Sequence, residues 1–96
     1  MAATAPLPDL VLFTRPGCGL CDEAREIVQG LLEDRAARSQ PLAQLAERDI
    51  TTNEALEREL FDRIPVLELR GERLELASSP ARIRRFLADH LDTVRA

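Results

Sequence analysis

Hydrophobic and polar positions change period several times along this 96-residue chain, and each change predicts an element. "DLVLFT", Asp9–Thr14, is a β-branched and aromatic run held between Pro8 and Arg15-Pro16-Gly17, the form of a short buried strand. Beyond Cys21 the apolar residues Ala24, Ile27, Val28, Leu31 and Leu32 recur three to four positions apart. That spacing predicts a helix from Leu20 to Ala37, weakened at Gly30 and ended by Ser39-Gln40-Pro41. "LAQLAERDI", Leu42–Ile50, reads as a strand, although its apolar spacing fits that period only loosely. Behind it, Thr51-Thr52-Asn53-Glu54 has the S/T-x-x-E form of a capping box, in which hydroxyl and carboxylate satisfy end amides reciprocally. A short helix carrying Ala55, Leu56, Leu60 and Phe61 should follow.

"IPVLEL", Ile64–Leu69, is a second clear strand, and Pro65, which has no N–H to donate, belongs at its start. "RGE" makes a tight turn, and "RLEL", Arg73–Leu76, alternates as its hairpin partner. Ser79 as N-cap and Pro80 as first helical residue open a last helix, with Ile83, Phe86, Leu87, Leu91 and Val94 along its buried stripe. The order is β-α-β-α-β-β-α. A strand, crossover helix and second strand imply a parallel pair, and the final hairpin adds antiparallel strands. The expected class is α/β, a small mixed sheet flanked by helices.

Composition narrows the function. The length is that of one domain, 1–96, without repeat or linker, and residues 1–8 are expected to be flexible. A content of 45 % hydrophobic and 31 % charged residues suits a soluble globular fold. No apolar run approaches the roughly 20 residues that cross a bilayer, and the N-terminus lacks the form of a secretory signal. The expectation is a cytoplasmic monomer that does not engage membranes. A net charge of −4 counts against nucleic acid, as does the lack of Tyr and Trp for base stacking. Every basic residue is Arg, which removes lysine Schiff-base chemistry and a P-loop lysine and points to a GC-rich, bacterial coding sequence.

Both cysteines fall in one stretch, "LFTRPGCGLCDEA", spaced C-x-x-C between the first strand and first helix. Unpaired amides and the macrodipole at a helix start favour a thiolate at Cys18, which makes it the better nucleophile at neutral pH. Arg15 adds positive charge nearby, while Asp22 and Glu23 oppose it. Cys21, one turn on, is placed to attack a mixed disulfide formed on Cys18. Two other readings stand beside this one. The pair could be unreactive buried thiols. It could also supply two ligands to a soft metal or an iron–sulfur cluster shared between copies, since a closed zinc site wants four ligands and His90 sits far away on the last helix.

"LFTRPGCGLC" followed by "RIPVLEL", in this element order, resembles the thioredoxin superfamily and more closely its glutaredoxin-like branch. The resemblance spans about Asp9 to Leu91 and implies a thioredoxin-like, glutaredoxin-type fold with a four-stranded mixed sheet. It implies a thiol–disulfide oxidoreductase in which Cys18 attacks and Cys21 resolves, acting on protein or low-molecular-weight mixed disulfides. By the same resemblance the Ile64–Pro65 bond is cis, faces the cysteines, and lets the Ile64 backbone pair with an extended substrate. There are departures. The inter-cysteine pair is Gly19-Leu20 and lacks the aromatic residue of C-P-Y-C, and "LASSPAR" stands in place of G-G-x-x-D. Ser78, Ser79 and Arg82 at the last helix start are the candidates for holding a carboxylate, by the affinity of exposed helix amides for anions. No metal or bound cofactor is expected; glutathione or another small thiol is the expected reductant.

Overall fold

A computed structural model describes residues 6–92. The elements are β1 (Asp9–Thr14), α1 (Gly19–Ala37), β2 (Gln44–Asp49), a 3-10 turn (Ile50–Thr52), α2 (Glu54–Leu60), β3 (Val66–Leu69), β4 (Glu72–Leu74) and α3 (Pro80–Leu91). Four strands form one sheet in the order β2-β1-β3-β4, with β1 parallel to β2 and the other neighbours antiparallel. This is the expected class and element order. The N-terminal stretch expected to be flexible lies largely outside the described residues, as does Val94.

Alternation along the strands sorts the side chains onto two faces. Leu10, Leu12, Leu67 and Leu69 meet Ala24 and Val28 of α1 and Ile83, Phe86, Leu87 and Leu91 of α3 in the larger core. Phe13 and Val66 point the other way and meet Cys21, Ile50, Leu60 and Ile64 in a smaller one. α1 feeds both cores, because Cys21 in its first turn goes to the small core and Ala24 and Val28 go to the large one. At its far end Arg35 is buried (7 % exposed); its Nε donates to the Pro41 carbonyl at 2.7 Å and its Nη2 pairs with Asp92 beyond α3.

Three local expectations needed correction. Thr51 does not cap α2. Its hydroxyl donates to Asp49 Oδ1 at 2.7 Å, and the Thr52 hydroxyl donates to the Asp49 carbonyl at 2.7 Å. With both hydroxyls engaged inside the 3-10 turn, the cap falls to Asn53, whose Oδ1 accepts the Leu56 N–H at 3.0 Å. Phe61 lies just past α2 and is 57 % exposed, so it does not join the helix's buried side. The hairpin is shifted: Arg70 and Gly71 have φ of 53° and 84°, the positive pair that a two-residue type I′ turn requires, and this sets Leu69 opposite Glu72. β4 therefore ends at Leu74. Past it, Leu76 enters the left-handed region (φ 50°) and donates its N–H to the Arg63 carbonyl at 2.9 Å instead of continuing the ladder.

Candidate functional site

β1 ends in Thr14, and Pro16-Gly17 turn the chain so that α1 begins immediately behind Cys18. Gly17 has φ of 76°, a conformation that most side chains would strain. Cys18 is the N-cap of α1. Its sulfur accepts the Cys21 N–H at 3.1 Å, the place a Ser or Asp oxygen takes in an ordinary cap. One main-chain donor of the first helical turn is thus directed at this sulfur, and the helix start as a whole favours negative charge on it.

The two cysteines are joined in a disulfide with their Cα atoms 5.2 Å apart. They are unequal. Cys21 is 1 % exposed and sits among Phe13, Ile50 and Leu60, whereas Cys18 is half-buried at the rim of the same cluster. Asp22 and Glu23 follow as exposed residues, but Asp22 is paired with Arg25 at 2.9 Å, which offsets the acidic side chain closest to the cysteines. Among the described residues no three His, Cys, Asp or Glu side chains come together to hold a metal ion.

Ile64 belongs to the same cluster as the cysteines (8 % exposed), and the Ile64–Pro65 peptide bond is cis. Three main-chain bonds hold this corner: Ile64 N–H to the Leu60 carbonyl at 3.1 Å, Leu76 N–H to the Arg63 carbonyl at 2.9 Å, and Ala77 N–H to the Pro65 carbonyl at 2.7 Å. The Ile64 N–H is thus already in use, and its carbonyl accepts no hydrogen bond from the described residues. The structure brings Cys18, Cys21, Ile64 and Pro65 to one end of the sheet.

The remaining sequence candidates have other engagements. Arg15 is exposed and lines a shallow hollow with Glu54, Glu57, Arg58 and Phe61 of the α2 region. Ser79 caps α3, its hydroxyl accepting the Arg82 N–H at 3.3 Å, while Ser78 N–H donates to the Leu76 carbonyl at 2.8 Å. The Arg82 guanidinium donates to the carbonyls of Leu76 and Glu75, each at 3.2 Å. The Ser78 N–H and two guanidinium N–H groups of Arg82 are thus bonded within the segment between β4 and α3. A larger hollow of about 580 Å³ lies at the opposite end, between the C-terminal halves of α1 and α3. Neither cysteine lines it, and its acidic walls Asp34 and Asp92 are paired with Arg38 and Arg35. His90 packs edge-on against Phe86, ring centroids 4.7 Å apart, as an ordinary side chain of the last helix.

Sequence reasoning missed two clamps and one presented side chain. Arg25 grips Glu47 of β2 through two bonds of 2.7 Å, and Arg73 reaches Glu59 and Glu68 while lying over the Phe13 ring. Leu76 stands 52 % exposed. Periodicity marks only which residues are apolar or charged, and these pairings join segments whose approach it does not reveal.

Comparison with known proteins agrees with this geometry. Residues 9–91 match the model of the Glutaredoxin-like domain (DUF836). Among solved structures, a structural-genomics target protein of X. campestris, XcR50, is 30 % identical, with a TM-score of 0.68 over 83 % of this chain and 96 % of that one. Protein Ne2328 of Nitrosomonas europaea is 25 % identical, with a TM-score of 0.59 over 90 % and 98 %. A malarial protein at 19 % identity shares the fold, with a TM-score of 0.62 over 88 % and 98 %. The chain belongs to the glutaredoxin-like (DUF836) family, with a thioredoxin-like fold.

Proposed function

We propose that the protein is a thiol–disulfide oxidoreductase, with Cys18 as nucleophile and Cys21 as resolving thiol. The observation that carries this reading is the disulfide between a half-exposed helix N-cap and a buried partner one turn on. In the reduced protein the Cys18 thiolate attacks one sulfur of a substrate disulfide. That S–S bond breaks, a substrate thiolate leaves, and a mixed disulfide forms on Cys18. Cys21, deprotonated, then attacks the Cys18 sulfur and expels the second substrate thiolate, which leaves the Cys18–Cys21 disulfide. The substrate gains two electrons and the protein loses two; the leaving thiolates take up protons as their pKa dictates. Two equivalents of a small thiol such as glutathione, or a reductase, return the pair to dithiol.

Burial separates the roles. An incoming disulfide reaches Cys18, while Cys21 is shielded until Cys18 has carried the adduct. Arg15, the helix start and the pairing of Asp22 by Arg25 all favour the Cys18 thiolate. The cis Ile64–Pro65 corner borders the pair and offers the Ile64 carbonyl to a substrate N–H, so pairing through this residue is one-sided.

Two variants test the assignment. Cys18→Ser should reduce turnover of a model disulfide to the uncatalysed background. Cys21→Ser should accumulate a mixed disulfide on Cys18, visible as an added mass that a reductant removes. Full activity in Cys18→Ser overturns the proposal.

A further inference from the structure

Among the described residues four large apolar side chains stand about half exposed: Leu7 (48 %), Leu20 (51 %), Leu76 (52 %) and Phe61 (57 %). Leu7 precedes β1, at the strand end away from the cysteines. The other three converge on the reactive end along separate segments. Leu20 lies between the two cysteines. Phe61 follows Leu60, whose carbonyl holds the Ile64 N–H, and it shares a hollow with Arg15, three residues before Cys18. Leu76 donates its N–H to the Arg63 carbonyl, and its successor Ala77 donates to that of Pro65.

Leu76 is the most informative of the three. A left-handed backbone is unfavourable for a leucine and persists only where the surroundings impose it. Here they do. Its N–H is bonded to Arg63, and its carbonyl receives both the Ser78 N–H at 2.8 Å and the Arg82 guanidinium at 3.2 Å. Arg82, which the helix-start argument offered to an anion, is instead bonded to the backbone that presents this side chain. Such a leucine, held outward beside the cis-proline corner, contributes nothing to either core.

We infer that Leu20, Phe61 and Leu76 form a recognition surface for an extended polypeptide whose disulfide cysteine is flanked by apolar side chains. This deepens the proposed function and rests on it, because whatever exchanges with Cys18 must sit on its surroundings. Two further features favour a peptide over an anionic small thiol as the preferred substrate. The Ile64 carbonyl is available to a main-chain N–H. Around Phe61, Arg15 and Arg58 are matched by Glu54 and Glu57, so the hollow has no net positive charge to select a carboxylate. Arg82 is engaged with carbonyls, and Arg63 beside Ile64 is paired with Asp62 and Glu75.

The test uses two short synthetic peptides, identical except that leucines flank the cysteine in one and serines in the other. Each cysteine is blocked as a mixed disulfide with thionitrobenzoate. Attack of the reduced protein on the peptide sulfur forms the Cys18–peptide disulfide and releases coloured thionitrobenzoate, so each rate is read directly. The wild type should prefer the leucine peptide by about tenfold in the second-order rate constant of this single turnover, the size expected when part of a leucine side chain leaves water. Leu76→Ser should reduce that ratio to about threefold or less, and Phe61→Ser, a second exposed position, should also reduce it. A wild-type ratio near one, or a ratio unchanged in both variants, overturns the inference while the redox reading stands. A wild type that releases no thionitrobenzoate from either peptide overturns both.

Discussion

The two faces of the sheet are built on different terms. The larger core, between the sheet and helices α1 and α3, is closed by aliphatic side chains such as Leu12, Val28, Leu67 and Ile83, all fully buried. The smaller core, on the α2 side, has fewer buried residues and includes a disulfide sulfur among them. Its cover is partly ionic: the Arg73 guanidinium lies 5.5 Å from the centre of the Phe13 ring and bridges Glu59 of α2 to Glu68 of β3. Stability follows buried apolar area, and the larger core has more of it. The smaller core is where a half-exposed sulfur and an exposed apolar rim reach solvent. The chemistry is thus set at the edge of the less deeply packed region.

Truncating one leucine in each core should separate these roles with the largest effect. Leu67→Ala and Leu60→Ala both remove a fully buried side chain, and each should cost about 2–5 kcal/mol in denaturant unfolding. Their effects on activity should differ. Leu60 also supplies the carbonyl that fixes the Arg63 and Ile64 N–H groups, so its truncation loosens the corner beside Cys18 and should lower kcat/KM several-fold. Leu67→Ala, assayed well below its melting temperature, should leave kcat/KM within about twofold. If the Leu67 variant loses as much activity per folded molecule as the Leu60 variant, the division between the cores is wrong.

Replacing Arg73 tests the ionic cover with a smaller effect. Arg73→Met keeps an apolar stem over Phe13 and removes the charge. The guanidinium is held above its ordinary pKa first by its bond to Glu68, so it stays charged at any pH where the protein folds. The expected loss is about 1 kcal/mol, from a partly exposed cation–π contact and two partly exposed ion pairs. High salt should narrow the gap between wild type and variant, because screening weakens the ion pairs. A loss that salt does not change would assign the effect to packing.

Much of this contrast is visible in the sequence, and what is not has physical causes. β1 and β3 are apolar runs bounded by proline and glycine, and α3 opens with Ser79-Pro80, so local chemistry states where they begin. C-x-x-C at a strand-to-helix junction, followed by Ile-Pro-Val, marked the residues that the fold gathers. The cap of α2 was misplaced because Thr51 and Asn53 both suit the role, and only the turn built on Asp49 decides between them. Leu76 was assigned to β4 because "RLEL" alternates. Its left-handed backbone is imposed by bonds from Arg63, Ser78 and Arg82, and no local signal carries that. The same segment takes two bonds from Arg82, a side chain that the helix start alone would leave facing solvent.

The smallest effect probes the helix common to both cores. α1 delivers Cys21 to one and Val28 to the other, and between them Arg25 fastens the helix to the edge strand through Glu47, with both bonds at 2.7 Å. The hydrogen bonds from Arg25 hold the Glu47 carboxyl below its ordinary value of 4.5, against a smaller opposing push from desolvation. A carboxylate whose pKa is depressed on folding adds stability that is present above its unfolded pKa and lost as pH falls through the folded one. Glu47→Gln should therefore be slightly less stable than wild type at neutral pH, by less than about 1 kcal/mol for so exposed a pair. The difference should shrink as pH falls below 4.5, where the wild-type carboxyl takes up its proton. Thermal unfolding across that range measures it, and a gap independent of pH would show that the amide disturbs packing and not charge. Arg25 would still pair with Asp22, but that pair lies within α1 and does not tie the helix to the sheet. If the variant nonetheless changes the rate of the Cys18 reaction at neutral pH, then the reactive end draws its rigidity from the larger core through this helix.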